Sequence, residues 1–263
     1  MVLTACGSSG GSPSASGTPA TAPETPTTPP STAASPATPA TPATPATPAT
    51  PATPATPATP PLGSWSLKPL WPFTTPAQAE AWERAYRSSG HQPWHLDPGQ
   101  TALSFTRNYL GFKEIDRISS RAVSGRHARI GVAPTGSEGG TAAVIHLVRY
   151  GTGTDAPWEV VGTDDTTFSL TTPAYGALVR SPMVTGGRIT GVDESIRVQV
   201  FQPSSAKPLG TSPCCTSAGG DKQPWKVTVP FSGARDAVLT VVASTGGHVA
   251  EVERFTVTAV RVN

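Results

Sequence analysis

Eight Pro-Ala-Thr repeats at residues 36–59, closed by Pro60-Pro61, constrain this chain more than any other feature. A proline at every third position fixes φ and removes a backbone donor each time, and it pushes the preceding Thr towards extended geometry. The repeats therefore exclude helix and central strand and predict a polyproline-II rod whose backbone bonds to water. At ~3.1 Å per residue, residues 36–61 would reach roughly 80 Å. GSSGGSPSASG, just ahead, reads as a softer hinge. Up to Pro61 the only charge is Glu24, and no apolar periodicity exists to offset the entropy of ordering. Residues 6–63 are expected to be a disordered tether, a spacer whose threonines suit O-glycosylation.

The tether begins at Cys6, which follows Leu3-Thr4-Ala5. That order matches a bacterial lipoprotein processing site. Residues 1–5 then read as the remnant of a signal peptide with its start further upstream, and Cys6 as the lipidated first residue of the mature chain. The expected location is extracytoplasmic, on the cell membrane through the N-terminal lipid. No apolar run reaches the ~18 residues of a membrane span. The formal net charge is +2, with no Lys/Arg run, which argues against electrostatic binding of nucleic acid.

Residues 64–165 predict an α+β domain, two helices followed by an antiparallel sheet. Thr75-Pro76-Ala77-Gln78 carries a cap, an N1 proline and a capping-box glutamine, and the helix presents Ala79, Trp82, Ala85 and Tyr86 until Gly90. Asp97-Pro98-Gly99-Gln100 repeats the logic for a helix ending at Gly111. Strands are expected at 116–123, 127–133, 141–150 and 158–162, the third apolar on both faces. The order of elements loosely resembles the nuclear-transport-factor-like and cystatin-like cones, which would imply a concave sheet for a ligand or partner.

Residues 166–263 change to short strands between turn signals, the pattern of an all-β immunoglobulin-like sandwich. Met183 through Ile189 reads as a strand interrupted by Gly186-Gly187. Ile196, Val198 and Val200 point inward, with Arg197 and Gln199 outward; Trp225, Val227, Val229 and Phe231 share another face. GGH at 246–248 reads as a hairpin. The segments FSLTTPAYGALVRSPMVTGGRITGVDESIRVQVF, PWKVTVPF and AVLTVVASTGGHVAEVERFTV resemble the bacterial spore-germination immunoglobulin-like domain family, with Thr172-Pro173, Ser181-Pro182, Gly186 and Gly191 at its pattern positions. The resemblance implies extracytoplasmic binding or structural use and brings no catalytic residues.

Candidate chemistry is sparse. Adjacent Cys214 and Cys215, in GTSPCCTSAGGDKQPW, could form a vicinal disulfide, strained because trans neighbours have Cα atoms only ~3.8 Å apart. That stretch is read as a loop. His91 and His95 have helical metal spacing, but Pro93 lies between them and no carboxylate or cysteine completes a site. His146 reads as a hydrogen-bonded core histidine. Asp164-Asp165 is the best Ca²⁺ candidate yet supplies too few oxygens. An exposed acidic turn is the expected reading of Asp164-Asp165; Asp193-Glu194 is a second carboxylate pair, and Glu251 and Glu253 share the solvent face of a strand. No metal and no cofactor is expected. The reading is a non-catalytic envelope lipoprotein that displays binding or scaffold modules to an envelope protein or wall polymer. The alternative is an extracytoplasmic redox or hydrolytic accessory acting through Cys214-Cys215 or the His91/His95 region.

Overall fold

Helix α1 (Pro76–Ser89) begins where Thr75 accepts a hydrogen bond from the Gln78 N–H at 3.3 Å, and it ends on left-handed Gly90 at φ 69°. The Gln78 side chain reaches back one residue further than a capping box requires, to the Thr74 N–H at 2.7 Å. Asp97 caps α2 (Pro98–Ser104) by accepting from the Gln100 N–H at 2.8 Å. A π-helical turn, Phe105–Tyr109, extends α2 towards Gly111. These features belong to a computed structural model, which describes residues 67–136, 140–214, 216–246 and 251–263; at 192–194 it describes backbone alone. The tether, Cys6, Cys215 and the 247–250 part of the expected hairpin lie outside the described residues.

Four strands follow: β1 (Ile115–Ser124), β2 (His127–Pro134), β3 (Ala143–Arg149) and β4 (Trp158–Asp164). They form an antiparallel meander in the order β1-β2-β3-β4, close to the expected boundaries. Ile130, Val132, Ile145, Leu147, Trp158 and Val160 turn one face of this sheet onto Ala102, Phe105 and Tyr109 of the α2 region. Leu70 and Trp71 run antiparallel along the outer edge of β4, joined through both backbone groups of Val160 at 2.9 and 2.8 Å.

The remaining strands are β5 (Ala177–Leu178), β6 (Met183–Gln202), β7 (Ser205–Thr211), β8 (Thr216–Val229), β9 (Val238–Thr245) and β10 (Arg254–Arg261). They make one hydrogen-bonded sheet, antiparallel except where short β5 joins β10. Twenty-residue β6 organises it. Its first part pairs with β8, its last part with β9 and β7, and register shifts around Gly191 let it bend between them. Residues from both ends of this bent ribbon, such as Phe168, Met183 and Trp225 against Val241, Ala243 and Val260, meet in one core. The sheet therefore curls around its own core, where two separate facing sheets were expected.

Three expectations are corrected here. Gly186-Gly187 does not interrupt a strand: β6 runs through both. Gly187 is required because a Cβ there would strike the Ser169 carbonyl oxygen. The stretch read as a loop around the cysteines is largely strand, since β8 starts at Thr216 and pairs with Ile196 of β6. Glu251 and Glu253 precede β10, which opens at Arg254.

The described residues all belong to one compact unit. The expected boundary at 165/166 falls just beyond β4, yet burial runs across it. Phe201, Val242, Phe255, Val257 and Ala259 share a core with α2 and the first sheet, while Leu239, Val241 and Val260 on the opposite faces of β9 and β10 fill the second. Apolar burial on both faces makes β9 and β10 the middle layer of the molecule.

Candidate functional site

β6 passes from buried to open along a single face. Phe201 is covered by Tyr109, with ring centroids 5.6 Å apart. Two residues at a time towards the N-terminus, Gln199, Arg197 and Ser195 keep the same facing by strand alternation and emerge from that cover. They form one wall of a groove of about 420 Å³. Ser244, opposite Arg197 in register, extends the wall onto β9. Leu110, Phe112 and Val252 supply apolar lining, and Phe112 packs edge-on against Phe255 at 5.2 Å.

Charge in the groove is divided. Arg197 directs Nη2 at Cys214 Sγ, 3.7 Å away. A guanidinium has five donors, so one such contact leaves it capacity for an acceptor in the groove. Glu251 brings a carboxylate, and its backbone N–H is bound by Glu114 Oε2 at 3.2 Å. Arg197 and Glu251 can thus hold a partner that offers both an acceptor and a donor. Cys214 is disulfide-bonded; Cys215 lies outside the described residues.

The other singled-out residues go elsewhere. His91 is exposed, whereas His95 is only 3 % exposed in an aromatic box of Phe73, Trp82 and Trp94. Burial, reinforced by the nearby His91 charge, brings the His95 pKa down to about 4. His146 is hydrogen-bonded to His127, Nε2 to Nδ1 at 3.1 Å, and burial followed by the Arg129 charge takes it to about 4 as well. The Asp164 carboxylate is engaged by Arg129 at 2.6 Å, and burial then Asp164 raise the Asp165 pKa. Among the described residues, no three His, Cys, Asp or Glu side chains gather to hold a metal. The Asp193 and Glu194 side chains are not described.

Glu159 is the residue that strand periodicity missed. It lies between Trp158 and Val160, where alternation suggests a solvent-facing acid, yet it is fully buried. Its Oε2 accepts from the Phe73 N–H at 3.1 Å. Burial drives its pKa well above the usual carboxyl range, only partly opposed by the N–H groups of Phe73 and Trp71. The sequence signal was an acid inside the uninterrupted run Trp158-Glu159-Val160-Val161. Comparison with known proteins finds no family model and no curated protein that matches the chain.

Proposed function

We propose that this chain is a non-catalytic envelope lipoprotein, anchored through Cys6 and carrying its folded unit on the Pro-Ala-Thr stalk to bind a peptide-bearing partner. The observation that carries the reading is the groove, with Arg197 and Glu251 above an apolar floor of Leu110, Phe112 and Val252. Peptide segments, in envelope proteins or in wall polymers, offer the carboxylate, amide and ammonium groups that suit it. The stalk supports the same reading, because a rod of this composition separates a folded unit from its anchor. The resemblance of residues 168–263 to spore-germination immunoglobulin-like domains belongs to this proposal. It rests on the quoted residue pattern and on an antiparallel β unit of fitting length.

The test has two arms. With the natural upstream sequence retained, membrane fractionation and acyl labelling are compared between the native chain and Cys6→Ala. Loss of label and release from the membrane in the variant support the anchor, whereas an unlabelled native chain overturns it. Separately, co-sedimentation with isolated wall polymer and binding to immobilised envelope proteins are measured for the native chain and Arg197→Ala. Weaker binding by the variant at unchanged stability is expected. Equal binding removes the groove from the proposal.

The redox alternative has one observation behind it, the disulfide bond of Cys214 beside Arg197. Replacing Cys214 and Cys215 together with serine separates the readings. Groove binding survives if the cysteines only shape the turn, and thiol exchange with a model disulfide disappears if they are reactive.

A further inference from the structure

Four buried side-chain polar atoms lack a hydrogen-bond partner among the described residues, and three belong to one place: Trp82 Nε1, His95 Nδ1 and Glu159 Oε1. Phe73 links them. Its ring lies 5.1 Å from the His95 ring and 6.3 Å from Trp82, and its N–H is the group bonded to Glu159. Unmet donors and acceptors so close together are costly while water is kept out. Helix α1 keeps it out. Of its fourteen residues only Ala79 and Trp82 are buried, in a small cluster with Phe73, Tyr86, Leu96 and Tyr150 that is separate from both main cores. Its polar latch to the rest of the fold, Arg87 with Asp155 at 3.1 Å, joins side chains that are 53 % and 39 % exposed and so holds weakly, while Glu83 pairs with Arg87 within the helix itself. Such a segment belongs to the low-stability end of a fold.

We propose that α1 is a flap over the Glu159–His95 pocket that opens as the pH rises. The 70–73 segment along β4 brings no charge to Glu159. Tyr150 and Tyr109 face it from the end of β3 and from the π turn, and both are held neutral by burial first and then by nearby carboxylates, Glu159 among them. His95 and, behind it, His91 stand on the 3₁₀-turn side. Arg149 is turned away, stacked on Trp158 and bonded to the Ala156 carbonyl at 2.6 Å. Glu83 and Asp155 are both engaged by Arg87, with Glu83 set against Gly153. Among the described residues no cation pairs with Glu159, so its ionised form needs water, and water reaches it when α1 lifts.

The sign follows from linkage. Glu159 favours the closed state while protonated, and that preference is lost as the pH rises above the ordinary carboxyl value near 4.5. His95 favours the closed state while neutral, a preference complete above 6.5 and lost as the pH falls towards about 4. Between about 4.5 and 6.5 the two slopes cancel, one proton each way; above 6.5 Glu159 acts alone. For as long as Glu159 stays protonated in the closed state, the open fraction should then climb by up to tenfold per pH unit.

Hydrogen exchange on the full chain from pH 6.5 to 8.5 tests this, read as protection factors for the amides of residues 82–86 and of β3. The expected result is α1 protection at least tenfold below that of β3 and falling by up to tenfold per unit, with the slope absent in Glu159→Gln. Equal protection in α1 and β3 at every pH means one global opening and overturns the flap. A flat α1 profile in the native chain overturns the pH gate, as does a slope that survives in Glu159→Gln. Should that variant not fold, the native profiles of α1 and β3 decide alone.

Discussion

Phe73 and Glu159 stand 86 positions apart, yet the backbone N–H of one donates to the buried carboxyl of the other at 3.1 Å. That bond ties the segment ahead of α1 to the outer edge of β4. It also places an acid where ionisation is disfavoured, which makes stability a function of pH.

Global stability should peak near pH 6.5. His95 and His146 both have folded pKa values of about 4, below the ordinary 6.5, so their contribution is complete above 6.5 and lost as the pH falls. Glu159 works in the opposite sense, losing its contribution as the pH rises above about 4.5. Two histidine slopes outweigh one carboxyl slope below 6.5, and the carboxyl acts alone above it. Urea midpoints from pH 4 to 9 would show the peak, and Glu159→Gln should flatten its alkaline side. A native midpoint that stays level from 6.5 to 9 contradicts the assignment.

Phe255→Ala should cost about 3–5 kcal/mol, the range for deleting a buried aromatic ring. Phe255 is 2 % exposed in the core that β9 and β10 share with the first sheet, so the loss should reach both sheets. Denaturation should remain a single transition at a lower midpoint. Two separated transitions, with only the later residues weakened, would show that the sheets are independently stable.

Asp97 has two partners, the Gln100 N–H at 2.8 Å through Oδ1 and Arg121 at 2.9 Å through Oδ2. The cap should dominate, because Arg121 and Asp97 side chains are 46 % and 40 % exposed and exposed pairs contribute little. Asp97→Ala should therefore cost about 1–2 kcal/mol. Asp97→Asn, which keeps a capping oxygen, should cost well under 1 kcal/mol. Similar losses for the two variants would assign the energy to the ion pair.

Gly187→Ala and Gly90→Ala should differ in kind. At Gly90 a Cβ meets nothing, and the cost is the left-handed conformation at φ 69°, roughly 1–2 kcal/mol. At Gly187 the Cβ would overlap backbone at Ser169 and force β6 away from it, which adds overpacking of about 1–3 kcal/mol and disturbs Phe168 packing on Trp225. Near-ultraviolet circular dichroism should change for Gly187→Ala and stay constant for Gly90→Ala.

Local rules were readable wherever neighbours in sequence decide the outcome. Thr75, Pro76 and Gly90 bound one helix, Asp97 and Pro98 start the other, and alternation placed Ile196, Val198 and Val200 inside. Reading stopped at contacts between distant segments. The glycine pair in β6 looked like a break because its partner at Ser169 was out of view, and the cysteine stretch looked like a loop because its pairing with β6 was. Glu159 was invisible for the same reason: alternation gives its side of β4, but the 70–73 segment and helix α1, which cover it, arrive from elsewhere in the chain.

Residue order alone determines the helix boundaries and the strand periods, since each depends on capping or side-chain alternation within a few positions. Tertiary structure alone decides that β9 and β10 are covered on both faces, that β6 bends to curl its sheet, and that Arg197 opens onto a groove while Glu159 is sealed. Burial is a property of what arrives from elsewhere in the chain, and a local pattern of apolar and polar residues does not specify which surface arrives.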